Sequence, residues 1–292
     1  MSERILQVAV VTGASRGAGK GIALALGEKG MTVYVTGRST NNSLGRLRDT
    51  VLPGTIYETA SEIDRRGGRG IAVACDHAED EQVKALFEQV EHESGRLDIL
   101  VNNATSIHDS LIDIGGFWEK PLELVSILDV GLRSAYVASY FAAPLMTRRQ
   151  SGLVTFVSSF GASCYMHGPA YGAQKAGLDK LAADMGVDLE PHHVTVASLW
   201  LGPQITERTA AAMKERPDQY GQFIQQAETP EFNGRVIYAL ATDPGRARFN
   251  GKTLITAELA REYGITEASG RQPPSYRDML GAPREPHPAK VM

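Results

Sequence analysis

Residues 5–29 read Ile-Leu-Gln-Val-Ala-Val-Val-Thr-Gly-Ala-Ser-Arg-Gly-Ala-Gly-Lys-Gly-Ile-Ala-Leu-Ala-Leu-Gly-Glu-Lys. Residues 5–11 form a short, nearly continuous apolar run, as a parallel strand buried on both faces requires. Glycines follow at 13, 17 and 19, and a helical pattern then runs to Lys29. Between a strand and a helix, absent side chains let the backbone approach a pyrophosphate. The helix amino terminus supplies N–H donors and a favourable dipole. Gly13, Ser15, Arg16, Gly17 and Gly19 are therefore candidate cofactor contacts. Their spacing, Gly-x-x-x-Gly-x-Gly, differs from the usual Gly-x-Gly-x-x-Gly dinucleotide fingerprint. A turn that merely needs positive φ is the alternative.

The same alternation recurs along the chain. Strand patterns near residues 32–36, 70–74, 97–101, 153–158, 195–199 and 252–256 are separated by helical ones, including a helix over 171–190. This predicts an α/β fold, a single doubly wound Rossmann domain with a mostly parallel, seven-stranded sheet over residues 1–270. Right-handed crossovers then bring Gly13, Asn102, Ser158 and Gly202 to one sheet edge, where ligands bind. Residues 203–232 follow the sixth strand and mix Ala210, Met213, Tyr220 and Phe223, a candidate substrate lid. Ordinary helix packing explains the same residues. Residues 271–292 read as a Pro-rich tail, because Pro273, Pro274, Pro283, Pro286 and Pro288 oppose regular structure.

Composition excludes several classes. With 292 residues and 42% hydrophobic content, the chain can bury one large core. A net charge of -4 and no basic run argue against nucleic-acid binding. No apolar stretch reaches the ~18 residues that span a bilayer, so a soluble, cytoplasmic protein without membrane attachment is expected. Two cysteines, Cys75 and Cys164, and seven scattered histidines show no metal-ligand spacing, so no metal is predicted.

At the end of the second strand, about twenty residues beyond the glycine loop, an NAD enzyme places an acid on the ribose 2′-hydroxyl. Here stands Arg38. With Arg16 it offers two cations to a 2′-phosphate, which favours NADP(H) over NAD(H). A solvated loop arginine is the alternative.

Tyr171 and Lys175 lie one helical turn apart, so phenol and ammonium share a face. A cation beside a phenol favours phenolate, lowering its pKa toward the working pH of a proton donor and acceptor. The pair alone also fits a surface helix. Its context raises its meaning: the phosphate loop, the Asn102-Asn103-Ala104 segment and a strand ending at Ser158 precede it in a workable order.

Thr12-Gly-Ala-Ser-Arg-Gly-Ala-Gly19, Arg96-Leu-Asp-Ile-Leu-Val-Asn-Asn-Ala104, Ser158 and Tyr171-Gly-Ala-Gln-Lys175 together resemble the short-chain dehydrogenase/reductase family over residues 5–257. Val130-Gly-Leu-Arg133, Lys180-Leu-Ala-Ala-Asp184, Ser198-Leu-Trp200 and Leu259-Ala-Arg-Glu-Tyr-Gly264 are similar to one branch of it. The resemblance implies hydride transfer between nicotinamide C4 and a substrate carbon. It implies Tyr171 as acid/base, Ser158 as the hydrogen-bond partner of the substrate oxygen, and Lys175 on the nicotinamide ribose. Ser158 is preferred over Ser159, which points the opposite way on a strand. Asp76 would contact adenine, Asn102 to Ala104 would flank its ribose, and Thr206 with the backbone after Gly202 would hold the carboxamide or a phosphate. A homodimer or homotetramer is implied likewise.

Departures accompany the likeness. The family's catalytic asparagine aligns with Gly131, Thr105 follows Ala104 where the family has glycine, and Leu201-Gly202 replaces Pro-Gly. The resemblance implies a proton relay through a water on that residue's backbone carbonyl, which glycine retains; Asp129, two residues earlier, is the less favoured substitute. Residues 41–54 extend the loop after Arg38, and residues 106–121, with Ile107, Leu111, Ile112, Phe117 and Trp118, are expected to shape a pocket. Solvent loops without ligand contact are the alternative for both. Tyr165, Met166 and His167 are candidates for the same pocket, with His167 a hydrogen-bonded loop residue rather than a second base. The substrate expected is a small, apolar carbonyl or secondary alcohol. An NADP(H)-binding sensor or scaffold with weakened catalysis is the other reading, and epimerisation or double-bond reduction a third.

Overall fold

The computed structural model describes residues 7–41, 44–215 and 224–291, so Ile5, Leu6, Tyr220 and Phe223 lie outside the described residues. Seven strands form the sheet: β1 Val8–Val11, β2 Thr32–Gly37, β3 Arg69–Ala74, β4 Ile99–Asn102, β5 Gly152–Ser158, β6 Val194–Trp200 and β7 Lys252–Ile255. Their order is β3-β2-β1-β4-β5-β6-β7, and every pairing is parallel. The apolar runs explain this, since each strand of such a sheet is covered on both faces.

Alternation along β1 divides the core. Ala9 and Val11 face α1 Gly17–Gly27, α2 Ile56–Arg65, α7 Pro230–Thr242 and α8 Thr256–Glu262, with Ile22, Ile63, Val236 and Leu259 among the packed side chains. Val8 and Val10 face α3 Asp80–Ser94, α4 Ser134–Thr147 and α5 Pro169–Leu189, through Leu86, Met146 and Leu178. The strand order changes direction at β1 and β4, so the loops at their carboxyl ends diverge and leave a crevice. Register aligns those ends: Val11 pairs with Val101, Asn102 with Phe156, Ser158 with Trp200, and Trp200 with Ile255.

Two inserted segments take definite shapes. Within residues 41–54, Arg46–Leu47 and Thr50–Val51 make a small antiparallel ladder that buries Leu47 and Leu52. In residues 106–121 Leu111 is buried, whereas Phe117 and Trp118 are 65% and 75% exposed, so these two rings do not line an enclosed pocket.

The tail expected to lack regular structure is ordered in its first part. Tyr276 is buried against Phe160, Trp200 and Ile255, and α9 Arg277–Leu280 follows it. Arg277 holds the Glu258 carboxylate through Nε and Nη2 at 2.8 and 2.6 Å. The prolines exclude a long helix but leave one aromatic anchor, and that anchor decides where the segment lies. No described helix is long and apolar enough to cross a membrane.

α1 and α7 cross at two glycines. A Cβ on Gly21 would stand 2.2 Å from Pro230 Cβ, and one on Gly234 would stand 2.6 Å from Ala25 Cβ. Gly21→Ala should therefore lower stability by about 1–3 kcal/mol, as overpacking does. A reduced urea midpoint with an unchanged m value is the expected result.

Candidate active site

Tyr171 and Lys175 stand on the first turns of α5, which Pro169 opens and Gly168, at φ 99°, precedes. Lys175 is 7% exposed and donates from Nζ to the Val157 carbonyl at 3.0 Å. The same ammonium lies 5.3 Å from the centre of the Tyr171 ring. Burial pulls the Lys175 pKa down to about 8, with Asp179 one turn on opposing that shift. Asp179 is itself pushed up to about 6 by burial, although Ser198 Oγ and Trp200 Nε1 donate to it at 2.6 and 2.9 Å.

The spacing favours Ser158 as the neighbour of the phenol, whereas in the structure Ser159 stands there. Ser159 Oγ and Tyr171 Oη share a hydrogen bond of 2.8 Å, whereas Ser158 Oγ donates to the Lys175 carbonyl at 3.2 Å and is buried. The two serines do point opposite ways, but β5 ends at Ser158 and the phenol lies beyond that end. Ser159 opens a short turn, its Oγ also accepting from Gly161 N at 3.2 Å, and this turns its hydroxyl to the phenol. A Cβ on Gly161 would stand 2.5 Å from the Tyr171 ring, so that glycine lets the turn close.

The Tyr171 phenol is also not lowered as its neighbour implied. Burial raises its pKa, partly opposed by the Ser159 hydrogen bond. Lys175 spends one N–H on the Val157 carbonyl, and at a pKa of about 8 it is still mainly an ammonium at neutral pH. His167 stands edge-on to the Tyr171 ring, with centroids 5.0 Å apart and planes at 83°.

Gly131 stands at a kink within Leu128–Arg133, where Val130 and Gly131 leave the helical backbone and Gly131 has φ 148°. A Cβ there would stand 2.1 Å from Gln174 Nε2, so α5 fills the place of the absent asparagine side chain. Gln174 Nε2 donates to Thr105 Oγ1 at 3.1 Å, while its Oε1 is buried without a partner among the described residues. The departures at 105 and 131 thus fit each other through Gln174. Neither the glutamine nor Asp179 was singled out in sequence; the i, i+4 spacing of Lys175 and Asp179 was the available signal.

The glycine loop is knitted to β4 by Thr12, whose Oγ1 accepts from Asn103 N and Ala104 N, both at 2.9 Å. A Cβ on Gly13 would meet Ala104 Cα at 2.8 Å, and one on Gly19 would meet Asn103 Nδ2 at 2.4 Å. Asn102 corrects another expectation. Its Nδ2 donates to Ser139 Oγ at 3.0 Å inside the core, so it ties β4 to α4 rather than facing the crevice. Arg16 donates to Ser39 Oγ at 2.9 Å and to the carbonyls of Pro53 and Gly54 at 3.0 and 2.7 Å. Arg38, its side chain 61% exposed, lies 3.7 Å from Asp76. Asp76 Oδ1 accepts from Ala78 N at 3.0 Å.

Leu201 N donates to the Ser158 carbonyl at 3.3 Å, a bond the family proline could not make. Gly202 N and Gln204 Nε2 donate to Glu228 Oε2 at 3.1 and 2.7 Å. Thr206 Oγ1 accepts from Thr209 N at 3.1 Å, so it caps α6 Glu207–Glu215. These residues fit a dinucleotide: the loop glycines leave no side chain in the cradle, the first N–H of α1 already donates to a carboxylate (Gly17 N to Glu207 Oε2, 2.8 Å), and the exposed Arg38 stands beyond β2.

Burial pushes the Glu228 carboxyl up to about 7. Its folded pKa exceeds its unfolded one, so the cost of its charge appears as pH rises through that range and is absent in acid. Glu228→Gln should gain stability over wild type between pH 5 and pH 8 by on the order of 3 kcal/mol, read as diverging thermal midpoints. Parallel curves would contradict this.

A family model described as short chain dehydrogenase matches residues 7–219. Dehydrogenase/reductase SDR family member 1 of Mus musculus is 40% identical over 286 residues, covering 92% of this chain and 86% of the relative. A 3-oxoacyl-[acyl-carrier-protein] reductase of Synechocystis is 30% identical, covering 87% of this chain and 96% of the relative. Among solved structures, a putative dehydrogenase from Xanthomonas campestris superposes with a TM-score of 0.75 at 26% identity, covering 91% and 93% of the two chains. With this breadth of match and a sheet edge of this construction, the chain belongs to the short-chain dehydrogenase/reductase family, whose members are carbonyl/alcohol oxidoreductases using nicotinamide cofactors.

Proposed function

We propose that this chain is an NADP(H)-dependent oxidoreductase that interconverts an apolar carbonyl compound and its secondary alcohol, with Tyr171 as acid/base. The observation that carries the proposal is the 2.8 Å pairing of Ser159 Oγ with Tyr171 Oη beside the buried Lys175. When bound, the cofactor supplies or accepts hydride at nicotinamide C4.

In reduction, Ser159 orients the substrate oxygen and the Tyr171 phenol gives it a proton. In oxidation the phenolate takes that proton back. A phenol raised by burial is protonated at neutral pH, the form a reductase needs at the start of its cycle. Lys175, lowered to about 8, exchanges protons near neutrality and stands over the ring, so it is suited to recharging the phenol. Phe160, Trp200 and Tyr276 form the apolar floor beneath the Ser159 turn and exclude water there. Arg38 and the Arg16–Ser39 pair would meet a 2′-phosphate, which favours NADP(H) over NAD(H). An apolar substrate is proposed because Leu111, Tyr165 and Met166 lie in the segments flanking the site. A homodimer or homotetramer, and a cytoplasmic location without nucleic-acid or membrane partners, complete the proposal.

The test is NADPH consumption over a panel of ketones, aldehydes, quinones and keto-steroids. Tyr171→Phe should bind NADPH but lose about 10² to 10⁴ in turnover. Ser159→Ala should lower turnover strongly, whereas Ser158→Ala should chiefly lower the thermal midpoint; the reverse pattern would return the role to Ser158. Arg38→Ala should weaken NADPH binding about 10- to 100-fold and leave NADH binding little changed. Equal wild-type affinities for the two cofactors would contradict the NADP(H) preference. Tight NADPH binding with no consumption would favour the sensor.

A further inference from the structure

Helix α1 has an unusual amino terminus. Its cap residue, Arg16, makes no side-chain capping bond, and its first turn holds no acid. The carboxylate that serves it comes from far along the chain: Gly17 N donates to Glu207 Oε2 at 2.8 Å. Glu207 is also the acid in the first turn of α6. One carboxylate therefore lies between two helix amino termini, both of which attract anions. Neighbouring atoms confirm the close approach, since a Cβ on Gly17 would lie 3.6 Å from the Thr206 methyl group. The Glu207 charge also acts on the Arg16 guanidinium and opposes the lowering of its pKa by burial.

The site this carboxylate takes is the one a pyrophosphate needs. Both are anions that accept from backbone N–H, and they cannot share Gly17. We infer that Glu207 is a displaceable stand-in for the cofactor's pyrophosphate, so that cofactor entry moves the carboxylate and releases α6 from the glycine loop. This rests on the dinucleotide reading above and adds to it a residue that opposes binding. Binding of a pyrophosphate-bearing ligand then carries the cost of breaking the Gly17 contact. Residues 203–215 are freed in the same step, and cofactor entry and their movement become coupled.

The test is equilibrium binding of ADP, NADPH and adenosine 2′-monophosphate by calorimetry to wild type, Glu207→Gln and Glu207→Ala, with thermal unfolding as a check on folding. Losing the charge should tighten ADP and NADPH about two- to fivefold, the size of one charge at a helix terminus. Adenosine 2′-monophosphate, which has no pyrophosphate, should be unchanged. Glu207→Asp keeps the charge but shortens its reach, and should tighten the same two ligands less. Unchanged or weaker ADP and NADPH binding in the variants would overturn the inference, as would equal tightening of all three ligands. If wild type binds neither ADP nor NADPH, the dinucleotide reading itself fails, and the inference with it.

Discussion

A buried lysine at the junction of a helix and a strand end sets the form of this site. Lys175 lies almost out of solvent, its Nζ on the Val157 carbonyl and over the Tyr171 ring. Burying an amine favours its neutral form, and only close packing of α5 on β5 and β6 holds it there. That packing is specific. Ser158 reaches the α5 backbone, Asp179 takes hydrogen bonds from Ser198 and Trp200, and a Cβ on Gly186 would stand 2.8 Å from Gly251 Cα. The same helix then carries the phenol toward the Ser159 hydroxyl and the Gln174 amide into the space above Gly131. Chemistry and core packing are opposite faces of one helix.

The cofactor half of the crevice depends on a different constraint, close backbone approach. Thr12 bonds two successive N–H groups of the Asn103–Ala104 segment, which brings the glycine loop against β4 with no room for a Cβ at Gly13 or Gly19. The glycines thus serve the fold as much as the ligand. Behind them Asn102 and Ser139 fix β4 to α4, a buried link whose Asn102 Oδ1 has no partner among the described residues. Glu228 plays a comparable role on the other side. Its carboxylate gathers Gly202, Gln204 and Asn233, which sets the path of the chain as it leaves β6.

Much of this was legible in the chain because parallel strands are continuous apolar runs and glycine loops carry little side-chain information. The seven strands lie close to where the apolar runs placed them, and Tyr171 and Lys175 share a helix face as their spacing requires. The contact of Ser159 with Tyr171 was not legible: counting thirteen residues back from the tyrosine selects Ser158, but the strand ends there and the next residue turns toward the phenol. Asn102 looked like a crevice residue because it closes β4, yet its side chain takes the inward side of the pleat. The pairing of Gly131 with Gln174 and Thr105 joins three separate segments, so no local pattern announces it. Proline content concealed the docking of Tyr276, since one buried aromatic outweighs several helix breakers in deciding where a short segment lies.

The central claim is that hydride moves between a nicotinamide and a carbonyl carbon at this sheet edge. The direct measurement is incubation of the wild-type protein with NADPH deuterated at the transferred C4 position, over a panel of carbonyl compounds, with mass spectrometry of the products. The account predicts an alcohol carrying one deuterium on the former carbonyl carbon. Saturable NADPH binding with no deuterium in any product of the panel would contradict it.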